Sequence, residues 1–143
     1  MEVSGNNRVV IAFGSNLGDK EAHIQKAIDA LSTTCGFVAQ VSPFYHSAPE
    51  GFVSENQFVN GCLLLLTDLN PYVLLKELKA IEKNLGRIQK TAQYEDRCID
   101  LDIIFYESLC IQSPDLQIPH PRYQEREFVM IPLQSLNLDF NPL

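Results

Sequence analysis

The sequence predicts an α+β fold of the ferredoxin-like kind, β-α-β-β-α-β, an antiparallel sheet with two helices packed on one face. Three observations predict it. Four short apolar runs have strand composition and are bounded by turn residues. Two stretches repeat apolar residues at helical spacing and open on capping residues. These elements follow one another in that order within 143 residues, a length suited to one domain with a single core. One domain over residues 1–143 is therefore expected, without internal repeats, linkers or low-complexity segments.

The elements run as follows. Val9 to Phe13 is the first strand. Gly14-Ser15-Asn16-Leu17-Gly18-Asp19 reads as a turn, and Asp19 can cap the helix after it. Ile24, Ala27, Ile28 and Leu31 recur at helical spacing to about Thr33, and Gly36 marks the exit. Phe37 to Tyr45 is the second strand, with Phe37, Ala39 and Val41 alternating against Val38, Gln40 and Ser42. Ser47 to Asn56 is a loop holding Pro49 and Gly51. Phe58 to Thr67 is the third strand, running through Leu63-Leu64-Leu65-Leu66. Asn70-Pro71 starts the second helix, an N-cap residue followed by proline at the first helical position. Leu74, Leu75, Leu78, Ile81, Glu82 and Leu85 continue it, and Gly86 is its stop. Arg87 to Arg97 is polar and irregular, and Leu101 to Tyr106 is the fourth strand. From Pro114 on the chain is punctuated by proline and carries short strand or helix pieces.

Composition narrows the function classes. A hydrophobic content of 45% with 20% charged residues is that of a globular chain and opposes disorder. The net charge of −7 opposes a polynucleotide partner, which would draw a basic surface. No apolar run approaches a membrane span, and the first residues lack a signal-peptide core, so no membrane partner is expected. The four cysteines form no C-x-x-C pair, and Cys62 and Cys98 fall in apolar runs as small core residues. A reducing cytoplasm is the expected compartment.

The chemistry centres on Cys98-Ile99-Asp100-Leu101-Asp102-Ile103-Ile104-Phe105. On a strand, Ile99, Leu101, Ile103 and Phe105 share one face, and Cys98, Asp100, Asp102 and Ile104 share the other. Two carboxylates on one face repel unless water or a cation separates them, and burying an unpaired charge is expensive. A hard divalent cation answers this, since Mg²⁺ takes one or two carboxylates and completes its shell with water and phosphate oxygens. An edge strand whose second face is wet would also accommodate the pair. Arg87, Lys90 and Arg97 lie just upstream, and such cations beside a carboxylate pair suit a polyphosphate carried with its metal.

Other clusters are less specific on their own. The Gly14–Gly18 segment joins strand to helix, where anions are attracted, but as a motif it is an ordinary turn and no P-loop. His120 stands between Pro119 and Pro121 on a stiff loop, followed by Arg122 and Arg126, and can donate to a phosphate. His23 and His46 have no spacing that joins them to it as metal ligands. Phe58 and Phe128 are either core residues or the aromatic walls of a site for a flat heterocycle. Asn60 shares a strand face with Phe58, and its amide can donate and accept at once. No Ser/His/Asp arrangement is visible. Metal-assisted phosphoryl-type transfer is the chemistry these residues support.

Taken together, these segments resemble the 6-hydroxymethyl-7,8-dihydropterin pyrophosphokinase family over about Val10 to Leu133. The resemblance rests on Ala12-Phe13-Gly14-Ser15-Asn16-Leu17-Gly18, Phe44-Tyr45-His46-Ser47-Ala48-Pro49, Phe58-Val59-Asn60, Ile81-Glu82 with Gly86-Arg87, Arg97-Cys98-Ile99-Asp100-Leu101-Asp102, and Ile118-Pro119-His120-Pro121-Arg122 with Arg126-Glu127-Phe128. The order and spacing of the pieces make it specific. It implies transfer of the β,γ-diphosphate of ATP to the pterin hydroxymethyl oxygen, with release of AMP, in folate biosynthesis. It implies two Mg²⁺ ions on Asp100 and Asp102, with Arg87 and Arg97 as further catalytic positions. Glu82, Arg87, Lys90, Arg97, Ile103, His120 and Arg126 match nucleotide-contacting positions. Ser47 and Asn60 match pterin hydrogen-bonding positions, Phe58 and Phe128 the stacking pair, and Tyr45 the pocket edge. ATP and the pterin are the implied partners, and a monomer is expected.

The chain departs from the family pattern in three places. Tyr94-Glu95-Asp96-Arg97 stands where Trp-Gly-Pro-Arg is frequent, Gln89 where a second arginine often lies, and Phe58 where tyrosine is common. The first two changes bear on closure of a loop over substrate. Two other functions compete with the pyrophosphokinase. A pterin or nucleotide binder without turnover would have no use for the acid pair. A ferredoxin-like RNA-binding module would need exposed aromatics among basic residues, against the net charge.

Overall fold

A computed structural model of the chain describes residues 6–47, 57–86 and 98–138. Its elements are β1 (Asn7–Ser15), α1 (Lys20–Thr34), β2 (Phe37–Val41), β3 (Tyr45–Ser47), β4 (Phe58–Thr67), α2 (Pro71–Asn84), β5 (Asp100–Tyr106), β6 (Ile111–Gln112), β7 (Gln117–Ile118) and α3 (Glu127–Gln134). One turn of 3-10 helix, Tyr123–Glu125, precedes α3. The main sheet runs β2-β4-β1-β5, with β3 also paired to β4, and every pairing is antiparallel. Each β-α-β unit is split by another strand: β4 lies between β1 and β2, and β1 between β4 and β5. That is the ferredoxin-like arrangement expected from the element order.

Local chemistry explains the helix ends. The Asp19 side chain accepts the Ala22 N–H at 3.2 Å and opens α1. Asn70 accepts the N–H groups of Tyr72 and Val73 at 3.0 and 2.9 Å, and Pro71 stands where a missing N–H costs nothing. Gly86, at φ +114°, leaves α2 through backbone space that residues with a Cβ rarely enter.

The two faces of the sheet bury different cores. On one, Ile24 and Leu31 of α1 and Leu74, Leu78 and Ile81 of α2 pack on Val9, Ile11, Leu63, Leu65, Leu101 and Ile103. On the other, Val129 of α3 and Tyr123 pack on Val10, Ala12, Cys62, Leu64, Ile104 and Phe105. The proline-punctuated tail thus becomes a third helix on the second face, so that face is not simply wet. At the end remote from the site, Arg8 clamps Glu107 through its side chain at 2.9 and 3.1 Å and its main-chain N–H at 2.6 Å. Hydrogen bonding from Arg8 holds the Glu107 carboxyl below the usual carboxylate range.

Three expectations need correction. The second strand is not continuous from Phe37 to Tyr45: it breaks at Ser42-Pro43-Phe44 into β2 and β3. Pro43 has no N–H for a ladder, and the Ser42 hydroxyl takes the Cys62 N–H at 2.9 Å instead. Phe105 does not share a face with Ile99, Leu101 and Ile103. Ile11 pairs with Ile103 but Val10 with Phe105, so Ile104 is an extra residue and the strand's alternation shifts. Cys98 is half-buried rather than part of the core, whereas Cys62 is fully buried, and burial pushes its thiol up to about 12. All four cysteines are free. Among the described residues no helix is long and apolar enough to cross a membrane.

Asn70→Ala, with Pro71 kept, removes the side-chain acceptor of two N–H groups. It should cost about 1 kcal/mol of stability in urea unfolding. An unchanged midpoint would mean that the cap contributes nothing.

Candidate active site

In an antiparallel ladder, residues directly opposite each other send their side chains to the same face. Gly14 lies opposite Asn60 on β4 and opposite Asp100 on β5, and Asn60 in turn lies opposite Tyr45 on β3. Tyr45, Asn60, Gly14 and Asp100 therefore form one row across the sheet. The next row is Cys62, Ala12 and Asp102. Cys62 and Ala12 belong to the core under α3, so both rows look to the α3 side. Asp100 and Asp102 project together from the edge strand of this sheet, about 7 Å apart along it, and both are half-buried.

Gly14 makes the floor of this face. A Cβ there would collide with the Asn60 side-chain oxygen and lie 3.8 Å from a ring atom of Phe58. The glycine thus admits the Asn60 amide over β1, where it is only 6% exposed. Phe58, half-buried, lies two residues along β4 on the same face, and Ser47 pairs with it through the main chain. The first residues of α3 border the row. The Tyr45 hydroxyl donates to Glu127 at 3.4 Å, joining β3 to the helix start. The Arg126 guanidinium carbon stands 5.6 Å from the centre of the Phe128 ring, which is half-buried.

His120 reaches the same edge from the other side. Its main-chain N–H donates to the Ile104 carbonyl of β5 at 3.0 Å. Its Nδ1 accepts the Arg122 N–H at 3.2 Å, which makes Nε2 the protonated nitrogen of the neutral ring. Burial first, then the positive charge of Arg126 and, less, of Arg122, hold the imidazole below its ordinary value, while Asp100 pulls it up. A ring tuned this way is a neutral donor beside an acidic edge.

Two expected residues sit differently from the rest. Glu82, 8% exposed in the last turn of α2, accepts the Leu101 N–H at 2.8 Å, between the two aspartates. The Ile103 side chain is 4% exposed in the core under α1 and α2, on the face opposite the aspartates. Arg87, Lys90 and Arg97, with the departures at positions 89 and 94–96, lie outside the described residues, as does most of the loop expected over residues 47–56. Gly14, expected at the start of a turn, lies instead within β1 and forms the floor of this face. A glycine at the end of an apolar strand, marking close approach of another group, was the signal. Glu127 and the Glu82–Leu101 bond left no local signal.

The His120 balance gives a test. The folded chain holds the ring below 6.5, so between that lower value and 6.5 the unfolded chain binds more protons. Stability from this group is complete above 6.5 and is lost as pH falls through the window. An NMR titration should find His120 below 6.5 and raised in Arg126→Ala. A value above 6.5, or one that Arg126→Ala leaves in place, would contradict the burial and charge balance described.

Known proteins resemble this chain in sequence and in fold. A family model described as 7,8-dihydro-6-hydroxymethylpterin-pyrophosphokinase matches residues 10–138. The 2-amino-4-hydroxy-6-hydroxymethyldihydropteridine pyrophosphokinase of Porphyromonas gingivalis is 39% identical over 131 residues, covering 90% of this chain and 89% of its own length. The folic acid synthesis protein of Dictyostelium discoideum is 42% identical over 137 residues, 96% of this chain but only 20% of that much longer protein. A crystal structure of HPPK-DHPS from Plasmodium falciparum shares the fold at a TM-score of 0.69 and 15% identity, over 100% of this chain and 43% of that one. This chain belongs to the 7,8-dihydro-6-hydroxymethylpterin-pyrophosphokinase family.

Proposed function

We propose that this chain carries out its family's reaction with Asp100 and Asp102 as the magnesium-holding residues. The β,γ-diphosphate of ATP passes to the hydroxymethyl oxygen of 6-hydroxymethyl-7,8-dihydropterin, and AMP leaves. The observation that carries the proposal is the row Tyr45–Asn60–Gly14–Asp100. It sets an amide suited to an amino-oxo heterocycle two strands away from the first carboxylate.

The donor set fits the metal. Two carboxylates on one half-buried face are hard oxygen ligands, and magnesium fills its remaining positions with water and phosphate oxygens. When bound, the ions would offset charge on the transferring diphosphate and lower the pKa of the attacking hydroxyl. The chain's own residues do the rest. Asn60 would donate to and accept from the pterin, with Ser47 as a second polar contact. Phe58 and Phe128 would hold its two faces, and Tyr45, tied to Glu127, its rim. His120 would donate Nε2–H to a phosphate oxygen without adding a charge, and Arg126 would supply one. By family resemblance Arg87, Lys90 and Arg97 would complete the nucleotide contacts. A main-chain contact at Ile103 is compatible with its inward side chain. Four free cysteines are consistent with a reducing compartment, and a cytoplasmic monomer is part of the proposal.

Chromatography of a reaction of ATP, Mg²⁺ and the pterin tests this directly. AMP should form only with all three present. Asp100→Asn and Asp102→Asn should each lower kcat by about 10³-fold, the equivalent of several kcal/mol. ADP as product, or near-normal rates in both variants, would overturn the assignment.

Gly14→Ala tests the floor. The added methyl meets the far end of a side chain, so the chain should fold while the Asn60 amide shifts. KM for the pterin should rise about tenfold, the loss of one hydrogen bond, with KM for ATP unchanged. Equal changes in both constants would place Asn60 elsewhere than at the pterin.

A further inference from the structure

A carboxyl group is an expensive choice at position 82. It is buried, and it stands in the last turn of α2, where the helix dipole disfavours negative charge. Its carboxylate accepts the main-chain N–H of Leu101 at 2.8 Å. That bond fixes the sense of the strand. On a strand, consecutive N–H groups alternate in direction. Because the Leu101 N–H points away from β1 to Glu82, those of Asp100 and Asp102 point toward β1, where they lie opposite Gly14 and Ala12. Leu101 itself sends its side chain into the core under α2, 4% exposed. The short segment between the two aspartates is thus held by β1 on one edge, by Glu82 on the other and by the core beneath.

We propose that Glu82 is a positioning residue for the acid pair. By accepting the Leu101 N–H, it holds an edge strand in the pleat that aims both carboxylates to one side. This rests on Asp100 and Asp102 being the magnesium-holding residues. An edge strand without that acceptor would have an orphan N–H at its most functional point and greater freedom to twist. A glutamate that served only to touch nucleotide would not need the Leu101 N–H.

Two variants separate the roles. Glu82→Met is close in size and removes the acceptor, and Glu82→Gln keeps an acceptor oxygen and removes the charge. The readouts are amide hydrogen exchange at Leu101, Mn²⁺ broadening of the Asp100 and Asp102 amide resonances, and the Mg²⁺ dependence of kcat. In Glu82→Met, exchange at Leu101 should speed about tenfold while Leu63 and Leu65 on β4 stay protected, which certifies the fold. The Mn²⁺ midpoint and the Mg²⁺ half-activation concentration should both rise about tenfold. Glu82→Gln should restore all three to within about twofold.

Faster Leu101 exchange with an unchanged Mn²⁺ midpoint would overturn the inference, since the bond would then be merely structural. A Glu82→Gln that stays defective, with raised KM for ATP, would overturn it in favour of direct nucleotide contact. If Glu82→Met does not fold, the Mn²⁺ midpoint and KM of Glu82→Gln decide by the same criterion. A wild-type chain whose Asp100 and Asp102 resonances ignore Mn²⁺ would overturn the metal site and this inference together.

Discussion

β1 is paired on both sides, to β4 through nine residues and to β5 through six, and the site depends on the register of those two ladders. Gly14 meets Asn60 on one side and Asp100 on the other. Ala12 meets Cys62 and Asp102. A slip of one residue on the β5 side would send both aspartates into the core under α1 and α2 and bring Leu101 and Ile103 to the surface. The apolar residues of β5 therefore specify the site as firmly as the acids do. Burying each of them is worth roughly 1.5–3 kcal/mol, and every one of those contacts is lost in the wrong register.

The second constraint is partial cover. A five-stranded sheet has two faces to bury, and α1 and α2 account for one. On the other, α3 and the turn before it cover the rows from Val10 to Cys62. The row beyond, with Gly14 at its centre, carries polar and aromatic side chains instead of more aliphatic ones. The start of α3 lies beside this boundary and brings Arg126, Glu127 and Phe128 to it. The same helix that closes the second core thus forms a wall of the site. A polar site next to a dry core gives its charged groups a low-dielectric side, which strengthens their interactions with a charged substrate.

Most of the fold was legible locally. The caps at Asp19 and Asn70, the stop at Gly86 and the apolar run of β4 are each written within a few residues, and each element lies within two residues of its expected bounds where it is continuous. What was not legible is non-local. The extra residue at Ile104 is defined only by the pairing of β5 with β1, and no alternation rule within β5 announces it. The break at Pro43 left a weak signal in the proline itself. The position of α3 depends on an apolar face that the strands expose only when assembled. The site divides in the same way. The acid pair on its strand could be read from alternation, whereas Asn60, Gly14 and Tyr45 meet the pair only through register. The roles expected of Asn60 and Tyr45 came from side-chain chemistry and the family resemblance, and the floor at Gly14 is visible only in the assembled sheet.

In the proposed site the Tyr45–Asn60–Gly14–Asp100 row would be the floor on which pterin and metal meet. A crystal structure with Mg²⁺, the pterin and an ATP analogue carrying a methylene bridge between the α- and β-phosphates tests it most directly. The pterin ring should lie against Asn60, between Phe58 and Phe128, with metal density at Asp100 and Asp102. Pterin or metal on the α1/α2 side of the sheet, or metal away from both aspartates, would contradict it.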